Sequence, residues 1–362
     1  MESYYGGGGR ISTVVTKTGA QVLRERTQAD EAVSLGDRMV SDFLAMLDTW
    51  HAAPEVYDDE LDAQIHRWYA DILTDRKRKI WPPRNMPYFS PSSANSCRRE
   101  LYEKMRKSPK DKRIQPPHQG RWTRFGTAIG DTIQRDLLFI EKHYASYTGE
   151  NPAFTLDRND RGEPMFEDFA KRNQLVEYND KSFALHGTCD GILNYGGIRV
   201  GLEIKSKQTT AAKTSHYSMR APDESHVKQC VTYSLMYGVD HYIILYVNAA
   251  KSGWNMSDEQ YAKNPDVRAF HIFVTERDKQ ALLDEFTDVI QAVEDGNPPP
   301  VNPEKWLFNG FKTAIARSLT DEEFAQLERK VAQVLRSRMT DAKKRDYARC
   351  LDDIVRLRGE AV

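Results

Sequence analysis

Apolar residues recur with two different periods along this chain, and the change of period marks out its elements. Across residues 28–75 the spacing is helical: Val40, Phe43, Leu44 and Leu47 form one stripe, and Ile65, Trp68, Tyr69 and Ile72 a second. Trp81-Pro82-Pro83-Arg84, with Pro87 close behind, ends that region. Ser90-Pro91-Ser92-Ser93 supplies capping residues for a helix in which Cys97, Leu101 and Met105 recur every four positions. After a basic, proline-containing loop over 108–119, a helix is predicted to follow Gly126 or Gly130 and to carry Ile133, Leu137, Leu138 and Phe139. Residues 145–173 are polar and irregular and read as an insertion.

The period then falls to two, predicting strands over 175–178, 182–194 and 198–206. A helix is predicted over 222–237, with Pro222 near its start and Gly238 past its end. The apolar run 241–247 reads as a buried central strand, 270–274 as another, and 279–293 as a helix before Asn297-Pro298-Pro299-Pro300. Phe324, Leu327, Val331 and Val334 form one late stripe; Tyr347, Cys350, Leu351 and Ile354 form a second, broken from the first near Thr340. These read as a helical hairpin packed on the core, or as helices that bind a partner or a second copy. The pattern predicts an α/β fold, a mixed central β-sheet flanked by helices with N- and C-terminal helical extensions. Its expected divisions are a flexible tail (1–27), an N-terminal helical region (28–85), the core (86–300) and a C-terminal helical region (301–362).

Composition narrows the class. The hydrophobic fraction of 40% supports a sizeable core, while 29% charged residues and a mean hydropathy of -0.67 argue against a membrane-embedded chain. Tyr4-Tyr5 followed by four glycines lacks the basic and apolar parts of a signal peptide. Cys97, Cys189, Cys230 and Cys350 are far apart in sequence, so neither a disulfide framework nor a zinc site is expected, and a reducing cytoplasm fits best. The net charge of -1 announces no nucleic-acid partner, but residues 97–124 hold ten Lys/Arg against three Asp/Glu. Arg98, Arg99, Arg121 and Arg124, close in sequence to Tyr102, Trp122 and Phe125, make either a phosphate-binding track or a solvated face.

The sharpest chemistry lies in the stretch Leu-His-Gly-Thr-Cys-Asp-Gly-Ile-Leu-Asn-Tyr-Gly-Gly-Ile-Arg-Val-Gly-Leu-Glu-Ile-Lys-Ser-Lys that ends at Lys207. Gly196-Gly197 suits a two-residue hairpin loop, because both glycines tolerate positive φ. In that register Tyr195 faces Ile198 and Asp190 faces Glu203. Two carboxylates so opposed stand roughly 5 Å apart at Cβ and repel each other. Alternation sets Lys205 and Lys207 on the face of Glu203, and Cys189, Leu193, Leu202 and Ile204 on the apolar face. A divalent cation with hard oxygen ligands, Mg²⁺ or Mn²⁺, would make the acidic pair sensible, and a lysine two residues on could orient a water or steady a phosphate.

Asp190, then Glu203-Ile204-Lys205, then Gln229 and Tyr233 on the next helix, resemble the PD-(D/E)XK nuclease superfamily, in its RecB-like branch, and most of all the phage-type recombination exonucleases. Ser90-Pro91-Ser92-Ser93 leading to Cys97-Arg98-Arg99 and Tyr102 is similar to the first helix of phage members; the resemblance spans 88–248. It implies a restriction-endonuclease-like core and a Mg²⁺- or Mn²⁺-dependent DNA exonuclease. Such an enzyme would resect double-stranded ends for phage-type recombination in the cytoplasm of a phage-infected or prophage-carrying bacterium. The implied partners are DNA and a single-strand annealing protein, with no membrane, and a homo-oligomer is compatible with it. Asp190, Glu203 and the backbone carbonyl of Ile204 would hold metal, and Lys205, its pKa lowered by metal and burial, would position or deprotonate the attacking water. Gln229, Tyr233 and His226 would lie on the helix face that closes over the site and contacts DNA, with Lys207 as a further DNA contact. The alternatives are a core aromatic for Tyr233 and a surface or satisfied core histidine for His226.

The branch's Gly-x-x-x-His is broken here, since Gly126-Thr127-Ala128-Ile129 is followed by Gly130; Asp131 is the nearest substitute ligand, ahead of Asp136 and Glu141. No iron–sulfur cluster is expected, because only Cys350 lies beyond the core. Two rival functions remain: a metal-dependent endonuclease on the same core, and an inactive DNA-binding or scaffolding module.

Overall fold

The computed structural model describes residues 19–112, 115–250 and 253–359, with side chains from residue 34 onward. The glycine-rich stretch of the expected tail lies outside the described residues. Helix α1 (Gly19–Ala52) starts ahead of Gln28, where the apolar stripe alone placed it, and α2 (Asp59–Thr74) follows, N-capped by Asp58.

Ser90 and Ser93 do form a capping box, but around a single 3₁₀ turn, and α3 (Arg98–Met105) starts only at Arg98. Helix α4 (Pro117–Thr148) starts at a proline, well before Gly126. The glycine that reads as a breaker instead permits close approach: a Cβ at Gly126 would stand 3.0 Å from Ser206 Oγ.

The predicted insertion contains β2 (Thr155–Leu156) and α5 (Glu167–Ala170), and leads into β3 (Arg172–Tyr178). The strand expected over 182–194 is broken in two, β4 (Lys181–Gly187) and β5 (Gly191–Tyr195), with a bend at Thr188-Cys189-Asp190. This bend moves the chain from one sheet to another. The smaller sheet has order β1-β4-β3, where β1 is Tyr88–Phe89. The larger has order β2-β5-β6-β7-β8, built with β6 (Ile198–Lys207), β7 (His241–Asn248) and β8 (Val267–Phe273). Strands β6 and β7 are parallel; β5–β6 and β7–β8 are antiparallel. The architecture is thus mixed α/β, with two mixed sheets where one was expected.

The larger sheet is covered on both faces. Helices α6 (Glu224–Tyr237) and α8 (Glu276–Glu294), with α3, bury Ile192, Tyr242, Ile244 and Tyr246 on one side. On the other, α1, α2 and α4 bury Leu193, Val200, Leu202, Ile204, Ile243 and Leu245. No glycine could be replaced at Gly201, over which the Tyr242 ring lies so closely that a Cβ would come within 2.0 Å of it. Helix α7 (Asp258–Lys263) precedes β8. Beyond α8, α9 (Lys312–Ser318), α10 (Asp321–Arg336) and α11 (Asp341–Gly359) enclose a separate core around Trp306, Ile315, Val331, Cys350 and Ile354.

Arg99, expected on a phosphate track, is fully buried and joins that C-terminal unit to α3. It donates to Glu323 Oε1 (2.9 Å), Ser318 Oγ (2.9 Å) and the Pro299 carbonyl (3.1 Å), and lies 3.6 Å from Glu103 Oε1. Tyr102 is likewise core. Arg99→Ala would strand buried Glu103, so unfolding in urea is expected to show a loss of about 3–5 kcal/mol. A variant as stable as wild type but weakened in DNA binding would return Arg99 to the phosphate track.

Candidate active site

The hairpin register is the one that Gly196-Gly197 dictates. Tyr195 pairs with Ile198 and Gly191 with Leu202, while both glycines have positive φ, +56° and +89°. Pairing stops one residue short of Asp190, because the sheet switch turns the chain there. Asp190 therefore does not stand squarely across from Glu203. Its Oδ2 instead accepts a hydrogen bond from the Ile204 N–H at 2.7 Å. The same bend puts Cys189 on the α6 side of the sheet, with Ile192, instead of with Leu193 and Leu202.

Glu203 points to the side that α6 covers, so the expected solvated face is in fact a second buried one. Its side chain is fully buried. The Lys205 ammonium contacts Oε1 as an ion pair. Burial first, and the charge of Asp190 second, push the Glu203 carboxyl up to about 8. Asp190 is also raised by burial, opposed by the Ile204 N–H and Lys205.

Helix α6 delivers the next layer. Asp223 caps its start and Gly238, at φ +63°, ends it, which fixes Gln229 and Tyr233 one turn apart above Glu203. Lys205 Nζ donates to Gln229 Oε1 at 3.2 Å, and Gln229 Nε2 donates to the Tyr233 hydroxyl at 2.7 Å. Tyr233 is buried and its phenol is raised by burial and by Glu203 and Asp190, so it stays protonated. Burial draws the Lys205 pKa down most strongly, but Glu203 and Asp190 together outweigh it and raise it. The metal-free chain therefore holds Lys205 as an ammonium; the lowering expected from the sequence belongs to the metal-bound state.

Lys207 and His226 meet at Tyr246. The Lys207 ammonium lies 5.1 Å from the ring centre, and His226 Nδ1 is 2.8 Å from the hydroxyl. That hydroxyl accepts the Asp223 N–H, so its own proton is free for Nδ1. Burial, with Lys205 and Lys207, brings His226 down to about 4 and keeps it neutral.

An acid absent from the predicted set completes the cluster. Glu167 lies in the stretch read as an insertion, with an unusual φ of +45° for a side-chain-bearing residue. Its N–H donates to the Cys189 carbonyl at 3.0 Å and its carbonyl accepts the Thr188 hydroxyl, so both sides of its peptide are tied to the sheet switch. Burial and Asp190 push its carboxyl up to about 7, with a smaller contribution from Asp131 and with Gln134 opposing. Gln134, buried on α4, also donates to the Asp190 carbonyl at 2.9 Å. Asp131 itself is exposed on α4 and is raised by partial burial alone. A usable signal for Glu167 was its bracketing by apolar residues in Phe166-Glu167-Asp168-Phe169-Ala170.

The structure thus brings Asp190, Glu203, Lys205, Gln229 and Tyr233 together, with Lys207 and His226 at their edge. Arg98 is removed from the group by an ion pair with Asp288 on α8 (3.0 Å), and Arg99 by burial. Arg121 and Arg124 are exposed on α4. Among the described residues no three His, Cys, Asp or Glu side chains are gathered closely enough to hold a metal ion by themselves. None of the described helices is long and apolar enough to cross a membrane.

No protein-family model matches the sequence, and no curated protein does. Among solved structures, the chain is similar to the protein SSO0001 at 12% identity and a TM-score of 0.37, covering 73% of this chain and 100% of that one. It is similar to an alkaline exonuclease from Laribacter hongkongensis at 13% identity and a TM-score of 0.34, covering 59% of this chain and 90% of that one. A phage-related exonuclease from Haemophilus somnus gives 13% identity and a TM-score of 0.29, over 57% and 80%. Likenesses this distant carry no argument about chemistry, which rests on the site.

Crowded carboxyls link stability to pH. In divalent-free buffer, Glu203 holds its proton up to about 8 in the folded chain, against 4.5 ordinarily. Between those values the folded state binds more protons, so stability falls as pH rises. His226 and His271, brought down from 6.5 to about 4, work the other way below their ordinary value. The wild-type melting temperature is therefore expected to rise from about pH 8 to about pH 6.5, and Glu203→Gln to remove most of that rise. A slope retained in the variant would show that Glu203 is not the group responsible.

Proposed function

We propose that this chain is a metal-dependent deoxyribonuclease of the PD-(D/E)XK type. The observation that carries this is Glu203: a fully buried carboxylate beside Asp190, met by a single cation, Lys205, at one of its two oxygens. A buried anion in that state is costly unless something cationic completes it. Lys205 does so partially, and the all-oxygen donor set suits Mg²⁺ or Mn²⁺. Asp190, Glu203 and the Ile204 carbonyl would hold the ion. Bound there, the ion supplies charge stabilisation for a phosphate and an acidified water.

The chain's own residues do the rest. Lys205 Nζ, held protonated and aimed by Gln229 Oε1, steadies an anionic phosphate oxygen or orients the attacking water. Tyr233, accepting from Gln229 Nε2, fixes which end of that amide faces Lys205. Lys207 and neutral His226 stand at the edge, where a nucleic-acid backbone would enter.

Within this class the reading we favour is an exonuclease that resects duplex ends for phage-type recombination, handing its product to a single-strand annealing protein. It is supported by Gln229-x-x-x-Tyr233 following Asp190 and Glu203-Ile204-Lys205. Linear duplex should be consumed while closed circular duplex survives; cutting of both at equal rates would make the enzyme an endonuclease.

Asp190→Asn and Glu203→Gln are expected to abolish cleavage in Mg²⁺ while leaving the metal-free chain folded, since each keeps the side chain's volume and removes only a carboxylate's charge. Lys205→Ala should lower turnover at saturating DNA by ~10²–10⁴-fold with little change in affinity. Wild-type rates in these variants would leave an inactive binding module as the reading.

A further inference from the structure

The first three turns of α4 are exposed on nearly every side, unlike the buried second half of the helix. They carry two large rings in the open, Trp122 at 48% and Phe125 at 56% exposure. Two large rings half exposed side by side on one helix face form an apolar patch flanked by cations. Three residues apart, they are neighbours on that face, about 5–6 Å apart at Cβ. Arg121 and Arg124, one residue before each ring, are also exposed, and neither makes an ion pair or a side-chain hydrogen bond among the described residues. The Trp122 ring is held edge-on by His118 at 5.7 Å between centres.

This stretch is anchored to the catalytic strand. Gln208 Nε2 donates to the Trp122 carbonyl at 2.9 Å and to Ser206 Oγ at 3.0 Å, and Gly126 admits that same Ser206. Ser206 directly follows Lys205 on β6. At about 3.3 Å per residue, Gln208 lies about 10 Å along the strand from Lys205. This end of α4 is thereby fixed beside the end of the strand that carries Lys205.

We propose that Trp122 and Phe125 stack on unpaired bases of a DNA strand whose phosphates Arg121 and Arg124 hold. This rests on the nuclease reading for the position of the strand. Paired bases present no free π-face to a side chain, so the occupant is a single-stranded segment, such as a strand frayed from a duplex end. Alternating rings and unpaired guanidinium groups match the alternation of bases and phosphates along it.

The test measures binding in chelator, where nothing is cleaved, using a fluorescent oligothymidine and an otherwise identical abasic oligomer. Trp122→Ala should weaken oligothymidine binding by roughly 5- to 100-fold, Trp122→Phe should retain most of the affinity, and neither should alter abasic binding. Arg121→Gln with Arg124→Gln should weaken both oligomers and flatten the salt dependence. Equal losses on both oligomers, or no loss for Trp122→Ala, would overturn the proposal and leave the rings to a protein or lipid surface. Failure of the nuclease reading is separately visible: base-dependent binding through Trp122 in a chain that cuts no DNA sinks that reading and leaves the stacking intact.

Discussion

The structure is organised around a repulsion. Where the chain leaves the three-stranded sheet for the five-stranded one, the bend at Thr188-Cys189-Asp190 places Asp190 against the Ile204 N–H, beside fully buried Glu203. Glu167 is tied to the same bend through its own peptide. Three carboxyls raised by burial, two of them further by Asp190, are an unfavourable arrangement. The surrounding fold has to be rigid enough to impose it. Two apolar layers, one on each face of the sheet, supply that rigidity.

The same burial determines what Lys205 can be. In water it would be one cation among many. Under α6 it is the ammonium that Glu203 meets, with Gln229 and Tyr233 fixing its direction through a two-step chain of hydrogen bonds. Its raised pKa follows from the acids beside it. Low dielectric magnifies both the repulsion among the acids and the value of each well-placed cation.

Local rules account for the legible part. A Gly-Gly turn sets a register over a few residues, so the pairing from Tyr195–Ile198 to Gly191–Leu202 could be read directly, although it stops one residue short of Asp190; helical spacing placed Gln229 and Tyr233 on one face. What the sequence hid depends on distant packing. Gly126 looks like a helix breaker but is a contact point for Ser206, so α4 runs through it. Arg99 looks like a surface cation until Ser318, Glu323 and the Pro299 carbonyl arrive from distant segments and, with Glu103 on its own helix, enclose it. Glu167 lay in a polar stretch with no periodicity, and only the sheet switch draws it to Asp190. A strand pattern continuing from 182 to 194 likewise conceals a change of sheet, because both sheets impose the same period of two.

The central claim is that these carboxyls are crowded in order to receive a divalent cation. Calorimetric titration of Mn²⁺ into the DNA-free chain tests it directly, with thermal unfolding in parallel. The account predicts a saturable site whose occupancy raises the melting temperature, as any ligand of the folded state must, and whose affinity falls in both Glu203→Gln and Asp190→Asn. Mn²⁺ binding of wild-type strength in both variants, or none in the wild type, would contradict it.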